Sequence, residues 1–433
     1  MTIAGSDSCG GAGIQADLKT FSALGAHGTC VVTSVTSQNT KGVQKSCDLA
    51  EDAISAQIDS IMDDMDVDFA KTGMLSSSKI INVVSRQIKK YDIPLIVDPV
   101  MLAEEGGVLL EGDAIKTLIL DLLPLCSVVT PNIPEASVLS KIKISDQETA
   151  KKAAIEISKK GSDSVIITGG HGIDLNMRND DIIYDGEFKF ISGDFANKSV
   201  HGTGCTYSAA ICAELSKGKN LHEAAHTARR FVYDSINVEN ETGSFRQVPF
   251  QGAKLIENSD RYHVFENVKA AVGIIEKSES FYRLIPEVGC NIAMAICGAN
   301  EKEDVASVTG RIVKVGGLAK AVGSVNFGTS DHISRIILTA MQSDDQKRAA
   351  MNIKYSEEIL STLKDAKMSI SFFNRKDEPT GGKTMDWGTK DAIKRSGDVP
   401  DVIYDGGGVG KEAMVRILGC SAVDVVKKCH VLF

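Results

Sequence analysis

A run of small residues, His201-Gly202-Thr203-Gly204-Cys205-Thr206, stands directly before an apolar segment, residues 207–215, that is typical of a helix. The run has no bulky side chain to shield its backbone N–H groups, so these groups can bind an anion at the predicted helix N-terminus. Phosphoryl transfer needs such a site for the phosphoryl group in flight. The same position favours the thiolate form of a cysteine, which predicts that Cys205 takes a proton from a substrate hydroxyl.

A second glycine-rich run, residues 5–13, lies about 200 residues earlier. Between the two runs, segments typical of strands and of helices alternate, which predicts a mostly parallel α/β sheet. Ligands of such sheets bind at the carboxyl ends of the strands. Asp98, Asn132, Glu135 and the pair Gly169-Gly170 follow predicted strands and should lie at that edge.

The predicted elements of this part of the chain can be given by number. The strands are residues 2–4, 30–36, 95–97, 127–130 and 165–167, and the helices are residues 14–24, 51–65 and 145–159. Ser145 and Glu148 have the spacing of a capping box at the start of the last helix. Asp185-Gly186 is typical of a tight turn and predicts a hairpin.

The composition limits the class of function. A chain of 433 residues is long enough for two or three domains. Its net charge of −9 argues against a general nucleic-acid binder, and no apolar run reaches membrane-spanning length. The ten cysteines show neither a Cys-x-x-Cys pair nor zinc spacing. We expect a cytoplasmic protein with reduced cysteines, no membrane partner, and no signal peptide before the first glycine run.

Six motifs of the first 250 residues occur in an order that resembles one enzyme family. They are residues 2–20, 37–43, 71–75, 98–101, 130–136 and 201–206. Together they resemble the hydroxymethylpyrimidine/phosphomethylpyrimidine kinases of thiamine synthesis, a branch of the ribokinase-like fold. The resemblance implies a three-layer α/β domain and two successive phosphorylations by ATP. The first acts on the hydroxymethyl group of 4-amino-5-hydroxymethyl-2-methylpyrimidine, and the second gives the diphosphate.

The resemblance also implies roles for individual residues. Asp17 and Gln38 would contact the pyrimidine, and an amide such as Gln38 offers both a donor and an acceptor. Carboxylates are ligands that Mg²⁺ prefers, which suits Asp98 and Glu135. The remaining assignments are apolar walls from Met74 and Val100, an anion hole from Gly202, Thr203 and Gly204, and Cys205 as the base. Related sugar and pyridoxal kinases have aspartate at position 205, and many bacterial relatives have lysine where this chain has Thr168.

Each of these residues also has a structural explanation when it is taken alone. The glycines of residues 10–13 can form a tight turn, and Cys205 can be a small buried hydrophobe. Asp98 can simply end a strand, and Glu135 is a carboxylate that a helix N-terminus favours. The motifs in combination favour the kinase.

A change of pattern after Glu239 predicts a second domain. We expect the kinase domain over residues 1–250, a linker over 251–260 and a smaller domain of mixed α/β character over 261–433. Its predicted helices are residues 269–278, 349–364 and 412–418, and its predicted strands are residues 312–315, 368–373 and 401–404. Four stretches stand out: residues 310–317, 327–335, 373–379 and 405–412. The last is not a Walker A loop, because Asp405 and Glu412 occupy positions that need glycine and Ser or Thr.

This second half resembles the non-barrel type of thiamine phosphate synthase. The resemblance implies that hydroxymethylpyrimidine diphosphate couples with thiazole phosphate, giving thiamine phosphate and diphosphate, with Mg²⁺ as a plausible helper. It assigns Arg311 and His332 to the catalytic basic pair, with Arg335 and Lys320 as weaker candidates. A second phosphate would be held by Lys411 and the glycine run Gly406, Gly407, Gly408 and Gly410.

Two alternatives remain open at this stage. The second domain could be a ligand-sensing module rather than a catalyst, as in regulators that join such a domain to a DNA-binding region; this chain has no basic helix of that kind. The first domain could be a pyridoxal-type kinase, which Gln38 and Cys205 disfavour. Kinases of this type are often dimers, so we expect a homodimer.

Overall fold

The computed structural model describes residues 1–101, 110, 112–169, 181–192, 200–237, 247–379, 384–408 and 410–432. Its contacts divide the chain into two compact units, Met1–Leu255 and Ile256–Phe433. Each unit has its own sheet and its own hydrophobic core. Among the described residues, no helix is both long enough and apolar enough to traverse a lipid bilayer.

The first unit is built on a sheet that is mostly parallel. Its strands are β1 (Thr2–Asp7), β2 (Cys30–Asn39), β3 (Gly42–Asp48), β4 (Ala70–Thr72), β5 (Leu95–Val97), β6 (Cys126–Val129), β7 (Ser164–Ile167), β8 (Asp181–Tyr184) and β9 (Phe188–Ile191). Within the described residues they pair in the order β3-β2-β1-β4-β5-β6-β7-β8-β9. The strands from β2 to β7 in this order run parallel. At one edge β3 pairs antiparallel with β2, and at the other β8 pairs antiparallel with both β7 and β9.

Helices cover both faces of this sheet. They are α1 (Gly13–Ala23), α2 (Glu51–Met62), α3 (Ser78–Tyr91), α4 (Gly112–Thr117), α5 (Ile133–Ser140), α6 (Gln147–Ser158), α7 (Thr203–Ser216) and α8 (Leu221–Asn237). Strand β5 shows why its sequence is continuously apolar: Leu95 and Val97 pack into the core beneath α3, whereas Ile96 packs into the core beneath α7. The predicted three-layer α/β fold is confirmed.

Local details of the first unit differ from the sequence predictions. The first strand extends to Asp7, and β3 and β4 were not predicted. The predicted capping box of Ser145 and Glu148 is wrong: Asp146 accepts from the Thr149 N–H at 2.7 Å, and the Thr149 hydroxyl accepts from the Asp146 N–H at 3.0 Å. Aspartate is as good an N-cap as serine, so the helix begins one residue later. The hairpin at Asp185-Gly186 joins β8 to β9 as predicted.

The second unit combines one long helix with a mainly antiparallel sheet. Its helices are α9 (Ala253–Lys277), α10 (Asp331–Met341), α11 (Glu357–Asp365), α12 (Thr384–Ser396) and α13 (Ala422–Cys429). Its strands are β10 (Ile292–Ala295), β11 (Val305–Val308), β12 (Ile312–Val315), β13 (Leu318–Ala321), β14 (Val325–Phe327), β15 (Ala349–Lys354), β16 (Ile370–Phe372), β17 (Val402–Asp405) and β18 (Met414–Gly419). The described strands pair in the order β14-β11-β10-β15-β18-β17-β16, and β12 and β13 form a separate hairpin.

Three element predictions for this half are wrong. Residues 349–364 are not one helix, because β15 pairs with β10 and β18 on both sides before α11 begins. Residues 412–418 are not a helix, because β18 pairs with β15 and β17. Pairing within a sheet overrides the local helix propensity of such segments. The predicted linker, residues 251–260, instead runs into α9 from Ala253, because Pro249 and Gly252 both precede that helix.

A buried ion pair joins α1 to the centre of the first sheet. Lys71 Nζ lies 2.9 Å from both carboxylate oxygens of Asp17, and neither side chain is exposed to solvent. Thr2 Oγ1 donates a further hydrogen bond to Asp17 at 2.6 Å. Burial lowers the pKa of Lys71, but the charges of Asp17 and Asp98 and the hydrogen bond to Asp17 together outweigh it, so the pKa is raised overall and the lysine stays charged.

Removal of this lysine should destabilise the first unit strongly. The Lys71→Met substitution leaves the Asp17 carboxylate buried without a counter-charge, which we expect to lower the free energy of unfolding by about 3–5 kcal/mol. Urea denaturation followed by circular dichroism measures the change. Lys90→Met removes the exposed pair with Asp59 and serves as the control, with little expected effect. Equal urea midpoints for Lys71→Met and Lys90→Met would contradict the stabilising role of the buried Lys71–Asp17 pair.

Candidate functional site

Polar residues of the first unit collect where its parallel strands end. Asp98 directly follows β5, and Asn132 and Glu135 form the start of α5 after β6. Thr168 and Gly169 follow β7, and the Thr168 N–H donates to the carbonyl of Pro131 at 3.0 Å. Because the carboxyl ends of these strands share one edge, the sheet brings together residues that lie far apart in the sequence. Gly170, predicted at this edge, lies outside the described residues.

The two glycine-rich runs touch each other at this edge. Gly202 is the N-cap of α7 with φ of 95°, and a Cβ at this position would lie 1.9 Å from the carbonyl oxygen of Gly11. A side chain is therefore excluded at Gly202 both by its backbone conformation and by the neighbouring chain. The contact places the first turn of α7, with Thr203, Gly204 and Cys205, over the first glycine run.

Asp7 shapes the first glycine run from within. Its carboxylate accepts from the N–H groups of Cys9 at 2.8 Å, Gly11 at 3.0 Å and Ala12 at 2.8 Å. These N–H groups are already bonded, so this run is a structural turn against which α7 packs. Gln38 lies beside it, with its amide nitrogen 2.6 Å from His201 Nε2.

Two carboxylates lie buried beside the start of α7. Asp98 accepts from Ser208 Oγ at 3.0 Å, and Ser208 Oγ also lies 3.0 Å from the carbonyl of Gly204 in the first turn of the helix. Glu135 accepts from the N–H groups of Asn132 at 3.0 Å and Met101 at 3.4 Å. Ser208 thus links the carboxylate edge to the proposed anion hole.

The environment of these carboxylates disfavours their charged forms. Burial raises the pKa of Asp98, and burial together with the charge of Asp98 raises the pKa of Glu135 to about 8. No group of three or more potential metal ligands occurs among the described residues. Two carboxylates nevertheless fit Mg²⁺, which typically takes one or two protein carboxylates and completes its shell with water and substrate phosphates.

Arg311 and the glycine run of the second unit lie at one end of its sheet. Arg311 follows β11 with an unusual φ of 105°, and its guanidinium donates to the carbonyl of Val288. Lys411 closes a turn with Gly408 through backbone hydrogen bonds of 2.9 and 3.0 Å. The carboxylate of Glu412 accepts from the N–H groups of Glu287 and Val288 at 3.0 and 3.2 Å. Arg311 and the glycine run are therefore both attached to the segment before β10.

His332 lies in the first turn of α10 and is exposed. Helix α10 packs on β10 and β15 and ends shortly before the start of β15, which is the opposite end of the sheet from Arg311. Strand β14, which leads into α10, ends beside the start of β11, where the Gly328 N–H donates to the carbonyl of Val305 at 3.0 Å, away from Arg311. In the described part of the unit no hydrogen bond or ion pair joins the two residues, so they are not a preformed pair.

Comparison with known proteins agrees with this geometry. Residues 7–249 match the family Phosphomethylpyrimidine kinase, and residues 267–430 match the family Thiamine-phosphate synthase ThiN. The whole chain is 37% identical over 434 residues to the bifunctional thiamine biosynthesis protein ThiDN of Methanocaldococcus jannaschii, covering 100% of this chain and 97% of that protein. The chain belongs to this bifunctional thiamine-biosynthesis family. Its first unit is a kinase domain and its second a ThiN domain.

Relatives of the kinase domain alone are also similar. The hydroxymethylpyrimidine/phosphomethylpyrimidine kinase of Bacillus subtilis is 44% identical over 246 residues, 56% of this chain and 90% of that protein. A crystal structure of phosphomethylpyrimidine kinase from Clostridium difficile is 40% identical with a TM-score of 0.50, covering 55% and 98% of the two chains. Pyridoxal kinase from Staphylococcus aureus in complex with pyridoxal is 36% identical with a TM-score of 0.54, covering 58% and 93%.

The structure corrects the prediction for Asp17. Both oxygens of its carboxylate are bonded to Lys71 and Thr2, and the side chain has no solvent exposure. Asp17 therefore cannot contact a pyrimidine directly. The residue that the prediction missed is Lys71, and its signal was a lysine enclosed between Ala70 and Thr72 in a short buried strand. By contrast, Met74 and Val100 are half-buried, and Met74 packs over Gly5 in β1.

The state of Cys205 also differs from the sequence prediction. Burial raises the pKa of Cys205 to about 12, and this outweighs the opposing charge of Lys71. The negative charges of Asp98 and Asp17 raise it further. The expectation that the helix N-terminus favours the thiolate is therefore wrong, because burial keeps Cys205 a neutral thiol at pH 7.

The glycine run of the second unit is not at a helix N-terminus. It connects β17 to β18 as a hairpin turn, with φ of 75° at Gly407 and 70° at Gly410. The N–H groups of Gly407, Gly408 and Lys411 are already bonded, to Asp405 and within the turn. The predicted support from a helix dipole is therefore wrong for this run, and the N–H groups of Gly407 and Gly408 are not free.

The buried Glu135 should make the stability of the ligand-free kinase domain depend on pH. Its folded-state pKa of about 8 lies above the ordinary value of 4.5, so the folded state holds a proton that the unfolded state has lost. The free energy of unfolding should therefore fall as the pH rises from 4.5 to about 8. Glu135→Gln removes this penalty, so the variant should gain thermal stability over wild type at pH 8.5 but not at pH 4.5.

Thermal unfolding at the two pH values, without ATP or Mg²⁺, measures this difference. Glu148→Gln changes an exposed glutamate in the first turn of α6 and is the matched control. The prediction fails if the difference in unfolding midpoint between Glu135→Gln and wild type is the same at both pH values.

Proposed function

We propose that the kinase domain phosphorylates 4-amino-5-hydroxymethyl-2-methylpyrimidine twice with ATP and Mg²⁺, first to the monophosphate and then to the diphosphate. We further propose that the ThiN domain couples the diphosphate to thiazole phosphate. In that reaction the bond from the pyrimidine methylene carbon to the diphosphate oxygen breaks, and the thiazole nitrogen bonds to the same carbon. The products are thiamine phosphate and diphosphate.

One observation supports the kinase reaction most directly. Ser208 on α7 donates to Asp98, so a buried carboxylate, the Gly202–Gly204 anion hole and Cys205 are held within two turns of one helix and the neighbouring strand end. Asp98 and Glu135 would hold Mg²⁺, which would neutralise charge on the phosphoryl oxygens. The N–H groups of Gly204 and Cys205 would stabilise the phosphoryl group, and Cys205 would take the proton of the substrate hydroxyl.

The choice of pyrimidine over pyridoxal rests on Gln38 and Cys205. His201 lies 2.6 Å from the amide nitrogen of Gln38, and the amide oxygen accepts from Thr36 Oγ1 at 3.3 Å. The second lone pair of that oxygen would accept from a substrate amino group. An aminopyrimidine has such an amino group and pyridoxal has none. Pyridoxal kinases share the fold, so relative rates on the two substrates are the direct test of this choice.

The second domain is proposed as a catalyst rather than a sensor. Both Arg311 and His332 are present and exposed, so each can reach a charged substrate. Loss of diphosphate from the pyrimidine leaves a positively charged methylene carbon, and cationic side chains would stabilise the departing diphosphate. The similarity to a bifunctional protein along the full chain supports the same reading.

A single incubation tests both activities. The purified chain, hydroxymethylpyrimidine, thiazole phosphate, ATP and Mg²⁺ are combined, and all phosphorylated products are separated by chromatography. Thiamine phosphate as product establishes both reactions. Pyrimidine diphosphate that accumulates without thiamine phosphate leaves the kinase and makes the second domain a sensor. Absence of any phosphorylated pyrimidine overturns the proposal.

Replacement of Cys205 should affect the chemical step. We expect Cys205→Ser to lower kcat for pyrimidine phosphorylation by about 100-fold or more, which is the usual contribution of a positioned base. Because burial raises its pKa to about 12, the wild-type kcat/KM should rise through the alkaline range without levelling near neutrality. Cys47→Ser, at an exposed position in β3, is the control. A kcat/KM profile that levels off near neutral pH in both wild type and Cys205→Ser would contradict this role.

Replacement of the basic pair should separate the two activities. Arg311→Gln and His332→Gln should each reduce thiamine phosphate formation by at least about 100-fold, because the departing diphosphate loses a cationic or proton-donating partner. Accumulated pyrimidine diphosphate, measured in the same incubation, should rise. Arg283→Gln removes an exposed arginine of the same domain as a control. Unchanged thiamine phosphate formation in both variants would contradict the catalytic roles proposed for Arg311 and His332.

A further inference from the structure

Two arginines share one buried aspartate beneath the glycine run of the ThiN domain. Asp405, the last residue of β17, has no solvent exposure and accepts from Arg375 and Arg416. Arg375 makes two of these bonds, of 2.5 Å through Nε and 3.1 Å through Nη2, and Arg416 makes one of 2.7 Å. Burial alone would raise the pKa of Asp405, but Arg375 and Arg416 hold it below its usual range. The cluster of two arginines and one aspartate therefore carries one excess positive charge.

The two arginines differ in access to solvent. Arg416 is almost fully buried, lies 5.2 Å from the ring centroid of Phe373, and donates to the carbonyl of Met414 at 3.4 Å. Arg375 keeps 13% of its side chain exposed. A guanidinium has five N–H donors, and within the described residues only Nε and Nη2 of Arg375 have acceptors. The Nη1 group is therefore available to a ligand.

The glycine run leaves this arginine accessible. Asp405 also accepts from the N–H of Gly407 at 2.9 Å, which fixes the start of the run over the cluster. A Cβ at Gly408 would lie 3.8 Å from Arg375 Cδ, so a side chain at this position would project next to the guanidinium. Since the N–H groups of Gly407 and Gly408 are already bonded, small residues in this run provide access to Arg375 rather than an amide cradle.

We propose that Arg375 binds a substrate phosphate in the ThiN domain, with Asp405 and Arg416 as the residues that position it. The inference rests on the proposed synthase function and adds a contact to it. An arginine held by a buried carboxylate is pre-organised for a phosphate oxygen, because its side chain need not be ordered on binding. The ligand chemistry is a phosphate or diphosphate ester, and either the pyrimidine diphosphate or the thiazole phosphate supplies it.

Direct anion binding and steady-state kinetics together test this role. Inorganic diphosphate and inorganic phosphate are titrated calorimetrically into the full-length wild type and into Arg375→Gln. The difference between the two proteins isolates this site from anion binding by the kinase domain. We expect at least a 10-fold loss of affinity for one anion and at least a 10-fold rise in KM for the substrate that carries it. Pyrimidine phosphorylation by the same variant should not change.

The two KM values distinguish the source of the phosphate. A rise for the pyrimidine diphosphate assigns Arg375 to the leaving group, and a rise for thiazole phosphate assigns it to the second substrate; each supports the proposal. Arg395→Gln removes another arginine of this domain, bonded to Asp391 at 2.7 Å, and should leave both values unchanged. Unaltered anion affinity and unaltered KM values in Arg375→Gln overturn the proposal.

A second pair of variants tests the same proposal if Arg375→Gln does not fold. Gly408 does not need a positive φ, so Gly408→Glu and Gly408→Gln are tolerated by its backbone and differ only in charge. Gly408→Glu should bind the anion at least 10-fold more weakly than Gly408→Gln, and equal binding overturns the proposal. If wild type forms no thiamine phosphate, the synthase function fails, whereas the titrations still decide whether Arg375 binds an anion.

Discussion

The absence of a side chain at Gly202 governs the architecture of the kinase domain. With the Gly11 carbonyl only 1.9 Å from where a Cβ would lie, the backbone before α7 can approach the first glycine run only as glycine. That approach sets the position of the first turn of α7. From there Ser208 reaches Asp98, and Cys205 comes under the influence of Lys71, Asp98 and Asp17. One steric constraint thus links two runs about 190 residues apart into a single site.

The kinase domain also contains several buried charged side chains. Asp17, Lys71, Asp98 and Glu135 all lie in the interior, and only the first two neutralise each other directly. Burial raises the pKa of both remaining carboxylates, and the charge of Asp98 raises that of Glu135 further, so charge on this pair is disfavoured. A divalent cation with a phosphate-bearing substrate would relieve this repulsion. Buried carboxylates of this kind lower the stability of the fold and favour binding of a cation.

The ThiN domain uses a related arrangement with the opposite sign. Asp405 holds two arginines where the strand ends, and the excess charge is positive. The Glu412 carboxylate is bonded to the backbone of Glu287 and Val288, which ties the glycine run to the segment that Arg311 also contacts. The polar features of this domain therefore surround one end of its sheet, although they come from four separate stretches of sequence.

The sequence by itself determined the alternating architecture, the glycine runs and the family. Strand periodicity and glycine-rich loops depend on neighbours in the chain, so they can be recognised without coordinates. It did not determine that Asp17 is buried, that Cys205 is a neutral thiol, or that residues 349–364 and 412–418 contain strands. Those outcomes depend on Lys71, on the surrounding burial, and on strands β10, β15, β17 and β18 pairing across the chain. Only the tertiary structure decided them, because burial and sheet pairing arise between residues that are distant in sequence.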